Sequence, residues 1–349
     1  MSLAKPIRRK LDLANGRVDL SHGAGGRAMG RLIEDVFLAA FDNAWLAAGN
    51  DQSAFEVAAC RMVMTTDAYV VSPIFFPGGD IGTLAVNGTI NDIAMAGARP
   101  LYLSASFVLE EGLPLADLVR VARSMGEASR AAGVPIITGD TKVVERGKAD
   151  KIFISTAGVG VTPPGLALSS DAVQPGDAVV VSGTIGDHGV AVMSKRENLE
   201  FETAILSDCA PLHGLVADMV AAAGPGLRVM RDPTRGGLAA TLNELANQSG
   251  VGFTLEEDAI PVRAEVAAAC EFLGLDPLNV ANEGKLVAIV APDRLEPLLA
   301  AMRAHPLGAR AAMIGRAVED PDRFVEMRTV FGGGRIVDWL AGEQLPRIC

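Results

Sequence analysis

The chain has 349 residues, of which 49% are hydrophobic and 5% aromatic, and its formal net charge is −11 at pH 7. This length suits two domains with a core each, and the composition is typical of well-packed mixed α and β structure and excludes a disordered protein. The negative charge argues against a nucleic-acid binder, which needs a basic face, and means that a bound polyphosphate would need local cations.

The cysteines and the apolar segments indicate the cellular compartment of the protein. Four cysteines, at Cys60, Cys209, Cys270 and Cys349, form no CxxC pair and have no zinc-ligand spacing. No apolar run reaches the length of a membrane-spanning helix. The basic stretch at 5–10 is not followed by the apolar core of a signal peptide. We therefore expect a cytoplasmic protein with free thiols and no contact with a membrane.

The first half of the sequence alternates helical and strand-like periods after a glycine-rich loop at 21–30. The predicted helices lie at about 27–47, 80–97 and 113–133, and the predicted strands at 61–71, 101–110, 134–138 and 151–161. Asp80 is the expected cap of the second helix, and Gly133 is expected to close the third. The third strand is expected to be short and to end in Gly139-Asp140.

The second half begins after a boundary at 162–177, where Pro, Gly and Ser cluster. It restarts with a predicted strand at 178–183, and a later strand leads into Asp232. A helix at about 236–248 follows, after which strands and helices alternate to about residue 340. The last ten residues show neither period and are expected to form a mobile arm.

Several acidic residues lie where strands end. Asp67 follows the apolar run MVMTT, Asp140 follows VPIITG and Asp232 follows LRVMR, whereas Asp92 lies in a helix of small and apolar residues. Ionised carboxylates that converge in a low-dielectric cleft repel one another, so a cation normally accompanies them. Oxygen ligands favour magnesium, which takes one or two carboxylates together with substrate phosphates. The alternative for each aspartate by itself is a turn or cap residue.

Glycines next to arginines suggest anion binding. In the first glycine-rich loop, Gly25 and Gly26 would let backbone N–H groups approach a ligand, and Arg27 adds a positive charge. The loop lacks the Walker sequence, so a flexible surface loop is its alternative. The segment DPTRGGL at 232–238 resembles a strand-to-helix turn in which Arg235 precedes the start of a helix, which is a reasonable anion site.

Two further residues are candidates for catalysis. Lys142 lies two residues after Asp140 and could hold a phosphate or stabilise a leaving oxygen. Its alternative is a solvated surface ion pair. Glu283 lies shortly before an apolar strand, where a carboxylate with a raised pKa can serve as a general base. Its alternative is a residue that only ends a loop.

The chain ends in a cysteine, within the segment LPRIC at 345–349. A terminal cysteine is exposed to oxidation and packs in no core, so it is a liability unless it is used. Arg347 lowers the pKa of the Cys349 thiol slightly while the adjacent α-carboxylate raises it, so the thiol is not a strongly activated nucleophile. It suits a carrier on a swinging arm that is acylated elsewhere and inserted into a site. A passive frayed end is the alternative.

Taken together, these segments resemble a known family. The run at 65–114 resembles the ATP-binding half of the PurM-like superfamily of aminoimidazole-ribonucleotide synthetase. The motifs GDTKVVERG, SGTIGDHG, DPTRGG, NEGK and the terminal PRIC are similar to those of the hydrogenase maturation family HypE. The resemblance extends from residue 20 to residue 349. It implies an α/β fold of the α+β type, in which an N-terminal domain forms a dimeric, β-barrel-like ATP site and a C-terminal α/β domain follows.

The same resemblance divides the chain and implies a reaction. It predicts an extension at 1–20, an ATP-binding domain at 21–165, a second domain at 166–339 and a mobile tail at 340–349. In this family a carbamoyltransferase of the HypF family places a carboxamide on the terminal cysteine. The enzyme dehydrates this S-carboxamide to an S-thiocyanate at the expense of ATP. The cyanide then passes to iron on a HypC–HypD scaffold complex, for the active site of [NiFe] hydrogenase.

Residue roles follow from the resemblance too. It implies a homodimer with ATP near the dimer interface and Mg²⁺ held by Asp67, Asp92 and Asp232, with Asp51 as a fourth ligand. The stretch NDQSAFEV around Asp51 departs from the Asp-Ala-Ala-Val run of many relatives. The implied catalytic residues are Cys349, Lys142 and Glu283, with Glu283 as the base. The implied ATP and phosphate ligands are Gly25, Gly26, Arg27, Thr66, Asp67, Asn91, Asp140, Lys142 and Arg235.

Three other classes of protein compete with this interpretation. A sibling enzyme such as selenophosphate synthetase carries a reactive cysteine or selenocysteine in the first glycine-rich loop, and this loop has neither. Thiamine-phosphate kinase is a second sibling. A non-catalytic scaffold would use Cys349 to grip iron or a partner, and ATP turnover that depends on a carbamoylated Cys349 would separate it from an enzyme. A redox protein is disfavoured because the cysteines are not paired in sequence.

Overall fold

The computed structural model describes residues 11–19, 22, 27–43, 60–199, 205–338 and 347–349. Its first helix, α1, begins as an α-helix at Arg27–Leu32, continues as a π-helical stretch at Ile33–Leu38 and ends at Ala39–Phe41. The hydrophobic period predicts a helix to about residue 47, but the backbone leaves the helical conformation at Asp42, whose φ is 25°. The predicted end of this helix is therefore wrong.

The first half of the chain builds a four-stranded sheet in the order β1-β6-β4-β5. Its strands are β1 (Met62–Tyr69), β4 (Arg99–Glu110), β5 (Ile136–Val144) and β6 (Ile152–Val161). Between β1 and β4 lie a hairpin of β2 (Phe75–Phe76) and β3 (Gly79–Asp80) and the helix α2 (Ile81–Met95). Helix α3 (Leu115–Ala132) connects β4 to β5, which pair in parallel.

The local signals predicted at the start of α2 and at the end of α3 are confirmed. The Asp80 carboxylate accepts the backbone N–H groups of Gly82 and Thr83, and the Thr83 hydroxyl pairs with the Asp80 backbone in return, which completes a capping box at the start of α2. Helix α3 ends at Gly133, whose φ of 68° lies in the left-handed region that favours glycine. The cap at Asp80 fixes where α2 begins, and therefore where Asp92 lies on this helix.

Strand β5 is longer than predicted. The predicted strand ends in Gly139-Asp140, but the structure continues it through Lys142 to Val144. The side chains of Asp140 and Lys142 are exposed, whereas Thr141 between them is buried, so the period of two persists although the residues are polar. Asp140 and Lys142 therefore lie within a strand and not at its end.

One face of the first sheet is covered by α2 and α3, and no helix or strand in the described part of the chain covers the other, which we call the open face. Leu103, Phe107 and Ile154 point toward the helices and are buried. On the opposite face Met64 is 75% exposed, and it lies in register with Val159 of β6. The four strands do not close into a barrel within one chain, so a β-barrel would require a second sheet to cover this face.

The second half of the chain builds a seven-stranded sheet in the order β13-β12-β9-β11-β7-β10-β8. Its strands are β7 (Ala178–Val181), β8 (Leu227–Arg231), β9 (Gly252–Glu256), β10 (Val287–Val290), β11 (Ala312–Val318), β12 (Val325–Arg328) and β13 (Gly334–Ile336). Its helices are α4 (Asp187–Arg196), α5 (His213–Ala223), α6 (Gly237–Ser249), α7 (Ala264–Leu273) and α8 (Leu295–Ala304).

Helices cover both faces of the second sheet. Val180 and its face pack with α5 and α8, and Val179 and Val181 pack with α6. Ala94 and Met95 at the end of α2 belong to the first of these cores, so α2 contacts both halves of the chain. Within the described residues, no helix is long and apolar enough to cross a membrane.

Candidate active site

A polar cavity of about 210 Å³ lies between the edge of the first sheet and the second half of the chain. It combines carboxylates from both halves with one guanidinium and the thiol of the last residue. The structure thus brings together seven of the residues singled out from the sequence: Thr66, Asp67, Asp92, Asp232, Arg235, Glu283 and Cys349.

Strand β1 and helix α2 supply the first two carboxylates. Because side chains alternate along a strand, Thr65, Asp67 and Tyr69 of β1 point to the same side, toward α2. The Thr65 hydroxyl donates to Oδ2 of Asp92 over 2.9 Å, and the Tyr69 hydroxyl lies 3.3 Å from that of Thr89. The edge strand and the helix therefore hold Asp67 and Asp92 at one wall of the cavity.

The turn between β8 and α6 supplies the opposite wall. Asp232 follows β8 directly, and Arg235 lies just before α6. Gly236 and Gly237 have φ values of 74° and 60°, and a Cβ on Gly237 would lie 2.5 Å from the carbonyl oxygen of Leu278. Glycine is therefore required where the chain turns into the helix. As predicted, this turn presents Arg235 and the start of a helix to one cavity.

The cavity concentrates negative charge. Burial, followed by the charge of Asp232, raises the pKa of Asp92 to about 7. Burial also raises the pKa of Asp232. The pKa of Glu283 is raised well above its usual range by burial and then by the charges of Asp232 and Asp208. Carboxylates in this arrangement repel one another, so the site favours a ligand that brings positive charge.

These carboxylates suit a cation that is completed by its substrate. Among the described residues, no group of three or more His, Cys, Asp or Glu side chains forms a metal-binding cluster. Asp51, the expected fourth ligand, lies outside the described residues. Within the described part of the chain, Oε1 of Glu283 is buried and has no hydrogen-bond partner. An incomplete, oxygen-only donor set of this kind fits Mg²⁺, which keeps positions for water and phosphate.

The terminal thiol lies inside this cavity. Burial, and then the charge of Glu283, raise the pKa of the Cys349 thiol to about 12, and the guanidinium of Arg235 opposes them. The predicted mobile arm lies outside the described residues from 339 to 346. Its last three residues, 347–349, are held by hydrogen bonds to residues 70–72 and to helix α4. The cysteine therefore rests in the site.

Asn91 does not reach the cavity, although a phosphate contact was predicted. Its side chain is buried, and its Nδ2 donates to the carbonyl oxygens of Ala210 and Glu283 over 3.1 and 2.9 Å. Its Oδ1 accepts the backbone N–H of Leu212 over 2.7 Å. Because the whole amide is engaged in joining α2 to the second half of the chain, Asn91 positions the backbone of Glu283, and both N–H groups of its amide are already used in these contacts.

Asp140 and Lys142 are also separate from the cavity. They lie on β5, at the opposite edge of the sheet from β1. Asp140 is in register with Ser106 and so points to the open face, whereas Asp67 points toward the helices. Lys142 Nζ lies 3.2 Å from Asp140 Oδ2, and both side chains are exposed. Within one chain, this pair cannot touch a ligand held by Asp67.

Some of the predicted site residues lie outside the described residues, and some residues that line the cavity were not predicted. Gly25 and Gly26 lie outside the described residues, and of Arg27 only the backbone, at the start of α1, is described. Thr66 lines the cavity, and its contact with phosphate stays a prediction. Tyr69, Gly88 and Thr234 also line the cavity and were not predicted. Thr234 lies between Asp232 and Arg235, so the turn motif that identified its neighbours could have identified it.

Comparisons with known proteins agree with this architecture. Residues 49–162 and 174–328 match the N-terminal and C-terminal domains of AIR synthase related protein. The carbamoyl dehydratase HypE of Rhizobium leguminosarum bv. viciae is 75% identical over 347 residues, or 99% of each chain. A crystal structure of hydrogenase maturation protein HypE in complex with ATP is 51% identical, with a TM-score of 0.91 over 95% of this chain and 99% of that one.

A second solved structure shows a related chain with a partner. The HypE–HypF complex contains a chain that is 48% identical, with a TM-score of 0.78 over 88% of this chain and 99% of that one. Identity at this level over nearly the whole length, together with the terminal cysteine in a carboxylate-lined cavity, identifies the family. The chain belongs to the HypE family of hydrogenase maturation proteins, within the AIR synthase related proteins.

Proposed function

We propose that the chain is an ATP-dependent carbamoyl dehydratase that converts an S-carboxamide on Cys349 into an S-thiocyanate, which supplies the cyanide ligand for the iron of [NiFe] hydrogenase. The observation that carries this proposal is the position of the Cys349 thiol, in one cavity with Arg235, Glu283 and three aspartates. This position is the one expected for a thiol whose bound group reacts in the cavity.

The residues of the cavity match the steps of this dehydration. The carboxamide oxygen is a poor leaving group, and it leaves as phosphate once it has taken the γ-phosphoryl group of ATP. Both N–H protons must also leave, so that a carbon–nitrogen triple bond remains. Glu283, which lies near the thiol, accepts the first proton as general base when the oxygen is phosphorylated, and the second leaves with the departing phosphate as hydrogen phosphate. Arg235 stabilises negative charge that develops on the transferred group.

Asp67, Asp92 and Asp232 are the residues that would hold Mg²⁺, and Asp51 remains a further expectation. When bound, the metal would neutralise the phosphates beside these carboxylates. The cavity of about 210 Å³ is smaller than the about 300–1,000 Å³ of typical pockets for whole ligands. We therefore place the reacting phosphate end of ATP in this cavity and the rest of the nucleotide outside it.

The proposed partners follow from the same chemistry. The carboxamide must come from a carbamoyltransferase, and a related chain forms a complex with HypF. The acceptor of cyanide is expected to be an iron-bearing scaffold of the HypC–HypD kind. All four cysteines are free thiols, which fits a reaction in the cytoplasm, where ATP is available. The two sheets fit a division of the chain into domains at 21–165 and 166–339, followed by the tail.

Mass spectrometry of the C-terminal peptide tests the reaction. After incubation with a carbamoyltransferase, carbamoyl phosphate and ATP, we expect a carboxamide adduct on Cys349 that then loses the mass of one water. With a non-hydrolysable ATP analogue in the second step, the adduct should form and remain unchanged. An adduct that persists while ATP is hydrolysed would contradict the dehydratase and favour a non-catalytic scaffold.

The open face of the first sheet supports a homodimer in which Asp140 and Lys142 act on the partner's cargo. Met64 is 75% exposed on this face, and a soluble sheet of this kind normally buries its apolar face. Asp140 and Lys142 point to the same face. A second copy that covers it would bring this pair toward the partner's carboxylate cavity, which they cannot reach within their own chain.

Mixed dimers test whether Lys142 acts across the interface. Each of the Cys349→Ser and Lys142→Ala homodimers should be inactive. A heterodimer of the two variants, isolated with two different tags, should recover about half of the wild-type rate, because one of its two sites has both groups. As the matched control, a chain with both substitutions paired with a wild-type chain should be inactive. The opposite pattern, or failure to isolate any dimer, would disprove action across the interface.

A further inference from the structure

The last three residues are docked through their main chain. The backbone N–H groups of Val70 and Ser72 donate to a carboxylate oxygen of Cys349 and to the carbonyl oxygen of Arg347, both over 3.1 Å. The pairing runs antiparallel, because the residue numbers rise on one side and fall on the other. The chain end is therefore held beside the segment that follows β1 without forming a strand, since Arg347 has a φ of 55°, and the thiol of Cys349 reaches the cavity.

His188 binds the carbonyl group that this pairing leaves free. The side chain is completely buried, and its Nε2 lies 2.9 Å from the carbonyl oxygen of Ile348. Since a carbonyl oxygen only accepts, Nε2 carries the hydrogen, and Nδ1 accepts the hydroxyl of Ser207 over 2.8 Å. The Ser207 oxygen in turn accepts the backbone N–H of Cys209 over 3.1 Å. This chain of hydrogen bonds fixes the tautomer and the orientation of the ring.

Arg196 joins the two paired segments, residues 70–72 and residues 347–349. Its Nε donates to the carbonyl oxygen of Ser72 over 2.8 Å, and its Nη2 donates to that of Arg347 over 2.7 Å. The guanidinium is planar and presents its donors as a fork, so it can bridge two neighbouring carbonyl groups in a way that a lysine cannot. Arg347 itself contacts the first half of the chain, through Val70 and Asp150.

We propose that His188 and Arg196, both on α4, are positioning residues that dock the chain end by binding the carbonyl oxygens of Ile348 and Arg347. This inference rests on the proposed function only in its consequence for catalysis. The contacts are made to the main chain, so they are the same for a free thiol, a carboxamide and a thiocyanate. His188 and Arg196 thus form a latch that places every form of the cargo on Cys349 at the same depth in the cavity. Release of the chain end from this latch exposes the thiol to a carbamoyltransferase.

The test measures how well the docked position protects Cys349. An alkylating reagent such as iodoacetamide is added to the full-length protein, and the labelling rates of Cys349 and the exposed Cys60 are followed by peptide mass spectrometry. Relative to Cys60, we expect Cys349 to be labelled about tenfold faster in Arg196→Ala than in wild type, because a charge-assisted hydrogen bond to the tail is lost. Arg196→Lys should behave like Arg196→Ala, since the fork is lost.

Matched variants separate docking from loss of fold or charge. Lys195→Ala removes a positive charge from the neighbouring exposed position of α4 and should label like wild type. His188→Gln, whose amide can still donate, should lie between wild type and His188→Ala. Circular dichroism identifies any variant that has unfolded. Equal labelling of Cys349 in wild type, Arg196→Ala and Lys195→Ala would overturn the latch.

The catalytic consequence is measured separately. In Arg196→Ala, carbamoylation of Cys349 should be as fast as in wild type or faster, while dehydration of the adduct should be about tenfold slower with an unchanged pH profile. If the wild-type protein performs no dehydration, the proposed function fails, but the labelling experiment still decides the latch. If labelling accelerates and dehydration does not slow, the two residues do not position the cargo.

Discussion

Replacing Cys349 with serine is expected to abolish both the carboxamide adduct and the thiocyanate on this chain. The proposed reaction proceeds on the sulfur, which lies in the cavity with Glu283 and Arg235. A serine hydroxyl would dock at the same place, because the docking contacts of residues 347–349 are to the main chain. The cargo would nevertheless be missing, since an alcohol is a far weaker nucleophile than a thiol. Peptide mass spectrometry and a cyanide-release assay would measure the loss.

The other cysteines provide the controls. Cys60 is exposed, and Cys60→Ser should retain full activity. Cys209 is half-buried, and desolvation of its thiol, followed by the charge of Glu283, raises the pKa of this thiol. Cys209→Ser should still accept the carboxamide on Cys349. Thiocyanate on the Cys349→Ser chain would show that the terminal sulfur is not the carrier.

Replacing Glu283 with glutamine is expected to separate loading from dehydration. The variant should accept the carboxamide at the wild-type rate, because loading takes place at the undocked thiol. Dehydration should slow by about 10²- to 10⁴-fold, which is the usual contribution of a general base. A quench-flow measurement of a single turnover, from carboxamide to thiocyanate, reads this step directly.

Glutamine is a fair replacement because the position of residue 283 is set by its backbone. Its N–H donates to Asp208 over 3.0 Å, and its carbonyl oxygen accepts from Asn91 over 2.9 Å. Both contacts persist in Glu283→Gln. Glu244→Gln, which neutralises an exposed carboxylate on α6 near Asp232, is the matched control and should be active. An equal rate of dehydration in the two variants would remove Glu283 from the role of base.

Much of the site could be predicted because its residues follow local signals. The Asp80 cap fixes the start of α2, and Asp232 and Arg235 lie in a turn with its own glycine signature. The terminal position of Cys349 pointed to a carrier before any contact was known. In each case the chemistry of the residue and its immediate neighbours in sequence were informative.

The rest depends on contacts between distant parts of the chain. Asn91 was assigned to phosphate, but its partners, Ala210, Leu212 and Glu283, lie more than a hundred positions away. Asp140 was placed at a strand end, and its assignment to the cavity ignored which face of the sheet it occupies. No periodicity reports these pairings, since they arise only when the two halves pack.

The amide of Asn91 ties the first half of the enzyme to the second. It closes three hydrogen bonds between α2 and the second half of the chain, and opening that seam would forfeit about 0.5–1.5 kcal/mol for each of them. The walls of the cavity are thus held together, and the part that moves is the C-terminal segment with the group bound to Cys349. A catalyst that delivers its substrate on its own backbone does not depend on the concentration of free substrate, and it works once per loading.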